Sequence, residues 1–127
     1  MPIRIRHHKY NISEAGRRTW RGKTYASMAE MRYAQMLFEM LREGKIAEVV
    51  EQPSVNLGTD PVIRYRPDFL VVPASERPYY VDVKGHETRE FKRIRKLWAT
   101  YGRLDLVITS PRGNGTFVLA DTIEGPR

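Results

Sequence analysis

The chain has 127 residues, of which 41% are hydrophobic and 29% charged, ordinary globular values that argue against wholesale disorder. No run of about 18 apolar residues occurs, which excludes a transmembrane helix, and the lack of an apolar signal core sets an intracellular location as the expectation. Cysteine is absent, which rules out disulfides and thiolate zinc sites.

Charge is the strongest global signal. Lys and Arg number 22 against 15 Asp and Glu, for a net charge of +7. Such an excess points to a nucleic-acid partner and says nothing about fold. Arg dominates the cations, and its planar fork suits bidentate phosphate contacts.

In chain order, residues 1–18 form a basic arm with no sustained period, carrying Arg4, Arg6, Lys9, Arg17 and Arg18. Such an arm can track a phosphate backbone or embrace a second copy of the chain. His7 and His8 within it are taken as exposed polar residues. Thr19 to Tyr25 reads as a tight hairpin around Gly22, presenting Arg21 and Lys23, with Trp20 and Tyr25 assigned to packing. The remainder, residues 19–127, is expected to form one domain.

A helix is expected from Ser27 to about Glu43, with Ser27 as N-cap and Gly44 just past its end. Ala34, Leu37 and Leu41 recur on one face, and Glu30 shares that stripe. Two readings of Glu30 stand side by side: a capping-box glutamate reaching back to Ser27, or a functional carboxylate facing the core. Residues 46–57 then read as a strand interrupted at Pro53, passing Glu51 and Gln52 close to the region of interest, where either, Gln52 included, can support a ligand or occupy a solvated edge.

Val62 to Val72 and Tyr79 to Lys84 are rich in β-branched and aromatic residues and read as two antiparallel strands. Asp68 lies in the first, Asp82 and Lys84 on one face of the second. Acids and a lysine among apolar neighbours are costly to bury unless something uses them, and a divalent metal would. A second helix follows from Thr88 to Tyr101, with an apolar face and a basic one bearing Arg89, Lys92, Arg93 and Lys96. Leu104 to Thr109 reads as a strand, Ser110 to Gly115 as a flexible loop, and Thr116 to Leu119 as a last edge strand.

Oxygen ligands suit Mg²⁺, for which Mn²⁺ can substitute, and such an ion activates water and shields phosphate charge. Carboxylates and a lysine on this frame therefore point to phosphodiester hydrolysis. Pro67-Asp68, then Asp82-Val83-Lys84, with Glu30 on the preceding helix, resemble the PD-(D/E)xK nuclease superfamily. The element order α-β-β-β-α-β is similar to its core. The resemblance implies an α/β (α+β) restriction-endonuclease-like fold, a central mixed sheet flanked by helices. Residues 51–53 (Glu-Gln-Pro) and 82–85 (Asp-Val-Lys-Gly) look most like small phage-type nucleases and Holliday junction resolvases.

Carried onto matching positions, the resemblance implies that Asp68, Asp82 and the Val83 carbonyl ligate Mg²⁺. Glu30 would complete the metal site, and Lys84 would serve the attacking water or the transition state. The expected partner is branched, four-way DNA, bound by a homodimer that makes paired cuts. A less selective or sequence-specific nuclease and a non-catalytic DNA-binding protein are the competing expectations.

Overall fold

The computed structural model describes residues 14–126; Arg4, Arg6, Lys9, His7 and His8 of the basic arm lie outside the described residues. Among the described residues the fold is mixed α+β: a five-stranded mixed sheet, two small two-stranded sheets and two α-helices. Among the described residues, no helix is long and apolar enough to cross a membrane.

A 3-10 turn, Ala15–Arg18, leads into the hairpin of β1 (Thr19–Trp20) and β2 (Lys23–Thr24). Arg21 and Gly22 at its tip both have positive φ, 57° and 76°, the geometry that lets a two-residue turn follow the strand twist. Helix α1 (Met28–Arg42) starts where Ser27 Oγ accepts from the Glu30 amide at 3.0 Å, and Gly44 follows it with φ 78°. Its Met31, Ala34 and Leu37 are buried, as helical spacing on one face requires.

β3 (Ile46–Glu51), β6 (Phe69–Pro73), β7 (Tyr79–Val83), β8 (Leu106–Gly113) and β9 (Thr116–Ile123) make the main sheet, in the order β3-β6-β7-β8-β9. All neighbours are antiparallel except β7 and β8, which run parallel and are joined through helix α2 (Arg89–Tyr101). Alternation along the strands divides the core into two. Phe69, Val71 and Val81 pack with α1, while Leu106, Ile108 and Ile123 pack with Phe91, Ile94 and Trp98 of α2. The small pair β4 (Val55–Leu57) and β5 (Ile63–Tyr65) lies with the α2 cluster through buried Leu57.

Three sequence expectations are corrected. Val62 to Val72 is not one strand: it breaks at Arg66-Pro67-Asp68 into β5, which pairs with β4, and β6, which pairs with β3 and β7. Pro67 has no N–H to donate to a ladder, so the chain changes sheets there. Ser110 to Gly115 is not a flexible loop: β8 runs to Gly113, and Asn114 and Gly115, with φ 56° and 73°, close a tight hairpin. The last strand continues past Leu119 to Ile123, because Ile123 buries itself beside Leu106.

Gly102 ends α2 with its amide on the Trp98 carbonyl, and a Cβ there would overlap the Trp98 indole, whose N–H donates to Leu104 O at 2.8 Å. Gly102→Ala is expected to cost about 2 kcal/mol through this overpacking, measured as a lower denaturation midpoint without loss of the folded baseline.

Candidate active site

The break at Pro67 sets Asp68 at the start of β6, opposite the end of β7, because the two strands run antiparallel with Phe69 facing Val81. A reciprocal clasp joins them. The Asp68 amide donates to Asp82 Oδ1 at 3.0 Å, and the Val83 amide donates to Asp68 Oδ2 at 2.8 Å. The Tyr65 hydroxyl, from β5, hydrogen-bonds Asp82 Oδ2. Asp82 is only 1% exposed, and burial pushes its carboxyl up to about 6, although Lys84 and the Asp68 amide pull the other way. Burial also raises Asp68, opposed by the Val83 amide and by the positive charges of Lys84 and Lys23.

Lys84 follows directly. Its backbone is tied to β8 on both sides: its amide donates to Thr109 O and its carbonyl accepts from Ser110 Oγ, each at 2.8 Å. Its ammonium lies 4.4 Å from the Phe91 ring centroid, a cation–π contact, and makes no ion pair with either aspartate. It is a cation near two carboxylates and committed to neither.

Glu30 is drawn inward from the first turn of α1. Only half of a capping box forms: Ser27 caps the Glu30 amide, but the glutamate side chain does not return the bond. Instead Glu30 is 4% exposed, with Oε1 buried and without a hydrogen-bond partner. Burial, then the nearby charge of Asp68, push it up to about 7, against the Gln52 side chain, Lys23 and the Ala26 amide. An unpartnered buried oxygen on a carboxylate is costly, and its retention points to a missing partner.

Gln52 supports this arrangement twice. Its side chain interacts with Glu30, and its amide donates to the Asp68 carbonyl at 2.8 Å. Its backbone is in the left-handed region at φ 50°, a strained conformation for a non-glycine residue. One end of the sheet thus collects Glu30, Gln52, Asp68, Asp82, Val83 and Lys84.

The cations expected to hold DNA fall into two groups. On the N-terminal hairpin, Arg18 Nε donates to Tyr25 O at 2.7 Å, and Arg21 sits 3.9 Å from the Phe38 ring centroid. Lys23 binds Glu51 at 3.2 Å, and Tyr25 OH donates to the same Glu51 oxygen at 2.6 Å. Lys23 and Tyr25 thus pin the hairpin to β3, and Arg21 packs it against α1. Arg17, by contrast, is exposed. On α2, Arg89, Lys92 and Lys96 are exposed without side-chain partners among the described residues, and Arg93 makes only a 3.5 Å contact with Glu90. One site residue has no signal in the sequence pattern: Tyr65, hidden inside what looked like one strand. Glu51, expected beside the site, instead binds Lys23 and Tyr25 of the folded hairpin.

Among the described residues, no three His, Asp or Glu side chains form a ready-made metal cluster. The donor set nevertheless suits a hard cation. Glu30 Oε1 is unpartnered, and Asp68 Oδ1 accepts no hydrogen bond among the described residues. A mixed α+β domain with a buried carboxylate cluster and a lysine at one sheet end is the class this geometry defines. The chain belongs to a family described as a protein of unknown function (DUF1064), whose profile matches residues 7–112. That match begins within the segment read from sequence as an arm. No curated protein matches the chain.

Glu30 holds its proton more tightly folded than unfolded, so this group makes the fold lose stability as pH rises from its ordinary value, 4.5, through about 7. The loss is on the order of 3 kcal/mol. Thermal unfolding at about pH 5 and about pH 8 should show Glu30→Gln stabilised at the higher pH and with a flatter pH dependence. An unchanged slope in the variant would mean that Glu30 is not buried as described.

Proposed function

We propose that the chain is a metal-dependent endodeoxyribonuclease that cuts branched DNA, working as a homodimer on four-way junctions. The single observation carrying this reading is the convergence of Glu30, Asp68, Asp82 and Lys84 at one end of the sheet, with a buried Glu30 oxygen that lacks a hydrogen-bond partner among the described residues. The restriction-endonuclease-like architecture is part of the same proposal. It is supported by the order α1, β3, β6, β7, α2, β8, which is similar to the αβββαβ core of PD-(D/E)xK nucleases.

In this reading Asp68, Asp82, the Val83 carbonyl and Glu30 hold Mg²⁺ or Mn²⁺, and Gln52 steadies Glu30. The ion, when bound, supplies a more acidic water and shields the charge of the scissile phosphate. The clasp between Asp68 and Asp82 holds both carboxylates in place before substrate arrives. Lys84, free of any ion pair, turns from the Phe91 ring to the attacking water or to the phosphate oxygens as charge develops. Arg89, Lys92, Arg93 and Lys96 on α2 contact neighbouring phosphates, with Arg17 and the basic arm supplying more. Paired cuts need two sites, and each chain offers one, which a two-fold dimer resolves.

The test is cleavage of labelled four-way junctions and matched linear duplex in Mg²⁺. Asp82→Ala and Lys84→Ala are each expected to lower the cutting rate at least about a hundredfold. Junction binding, followed by gel shift, should stay largely intact, since the basic surfaces carry affinity. Equal cutting of both substrates would remove the junction claim. Wild-type protein that binds DNA without cutting it would leave a DNA-binding role only.

A further inference from the structure

Beside Lys84, on the α2 side of the sheet, lies a cavity of about 300 Å³. Ile63, Tyr65 and Phe91 form its apolar half, and Arg64, Lys84 and Thr88 line the remainder. The halves differ in chemistry. The two rings, 6.2 Å apart and inclined at 46° to one another, form an angled apolar wall, whereas Arg64 is exposed without a side-chain partner among the described residues. Lys84 forms no ion pair among the described residues, although Asp68 and Asp82 lie near enough to feel its charge, and the one carboxylate on the wall, Glu90, is directed to Arg93 at 3.5 Å. The cavity therefore presents, beside an aromatic surface, two cations that form no ion pair among the described residues.

A planar apolar group carrying a phosphate matches both halves, and a nucleotide is such a ligand. The volume lies at the small end of ligand pockets, enough for one nucleotide and too little for a base pair. The position connects the cavity to the carboxylates, because Tyr65 contributes its ring to the wall and its hydroxyl to Asp82. We propose that this cavity receives one unstacked nucleotide of the strand being cut, its base on Ile63, Tyr65 and Phe91 and its phosphate at Arg64 and Lys84. The assignment rests on the nuclease reading above and adds the feature that selects the substrate. A base held in a duplex must be unpaired and unstacked to enter, which is least costly beside a branch or a mismatch.

The binding half is tested without cleavage, by titrating the full chain, free of metal, with thymidine 5′-monophosphate and following backbone amides by NMR. Saturable shifts are expected at residues 63–65, Lys84 and Phe91, with weaker binding of both thymidine and inorganic phosphate. Arg64→Ala should weaken binding about tenfold, through loss of a charge-assisted contact, while distant amides keep their positions. Arg64→Lys, which keeps the charge, should weaken it less. No saturable shift, an affinity indifferent to Arg64→Ala, or inorganic phosphate bound as tightly as the nucleotide would each overturn the assignment. The selection half compares a fully paired duplex with one carrying a single unpaired nucleotide at the cut. Wild type is expected to cut the second faster, and equal rates overturn it. A chain that cuts no DNA fails the nuclease reading alone, leaving the titration to decide the pocket.

Discussion

The site depends on a pair of hydrogen bonds between two strand ends. Asp82 accepts from the amide of Asp68, and Asp68 accepts from the amide of Val83. Each aspartate thus satisfies a backbone donor where the β6–β7 ladder gives out, so the carboxylates close the sheet end. Removing either would leave a buried N–H unpaired. Burial at this point also raises both carboxyl groups, Asp82 to about 6, so the clasp carries a standing electrostatic cost. A bound cation would offset that cost.

Glu30 shows the same tension from the opposite side. Its helix needs a residue at this position only to receive the Ser27 cap through its amide, and nearly any side chain would serve. The carboxylate is instead turned into the interior, near Asp68, with one oxygen unpartnered. Gln52, strained at φ 50°, interacts with it and anchors the Asp68 carbonyl. Observed strain beside an unsatisfied carboxylate is the combination expected where function outweighs stability.

The positive charge divides according to what surrounds it. Hairpin cations lie against Phe38, Tyr25 and Glu51 and attach β1 and β2 to the rest of the fold. Cations along α2 face solvent and are available to a polyanion. Arg95 belongs to neither group in practice, since Glu87 and Asp121 hold it at 2.6 Å each. A net charge of +7 overstates the free positive surface and does not locate it.

Elements governed by local rules were legible in the chain itself. Ser27 and Gly44 bracket α1, Thr88 and Gly102 bracket α2, and alternation in Tyr79 to Val83 places Val81 and Asp82 on opposite faces. The candidate acids were visible too, because a carboxylate inside an apolar strand departs from the pattern around it. Even the Asn114-Gly115 turn had a local signal, obscured by Pro111 and Gly113 beside it. What the sequence by itself determined was therefore helix ends, strand faces, overall charge and a short list of unusual residues. Tertiary structure alone decided the switch of sheets at Pro67, the clasp of Asp68 with Asp82, the inward turn of Glu30, the Tyr65 hydroxyl on Asp82 and the division of the cations. Each of these joins residues distant in sequence, and such partners are chosen by strand register and packing, which no local window of the chain contains.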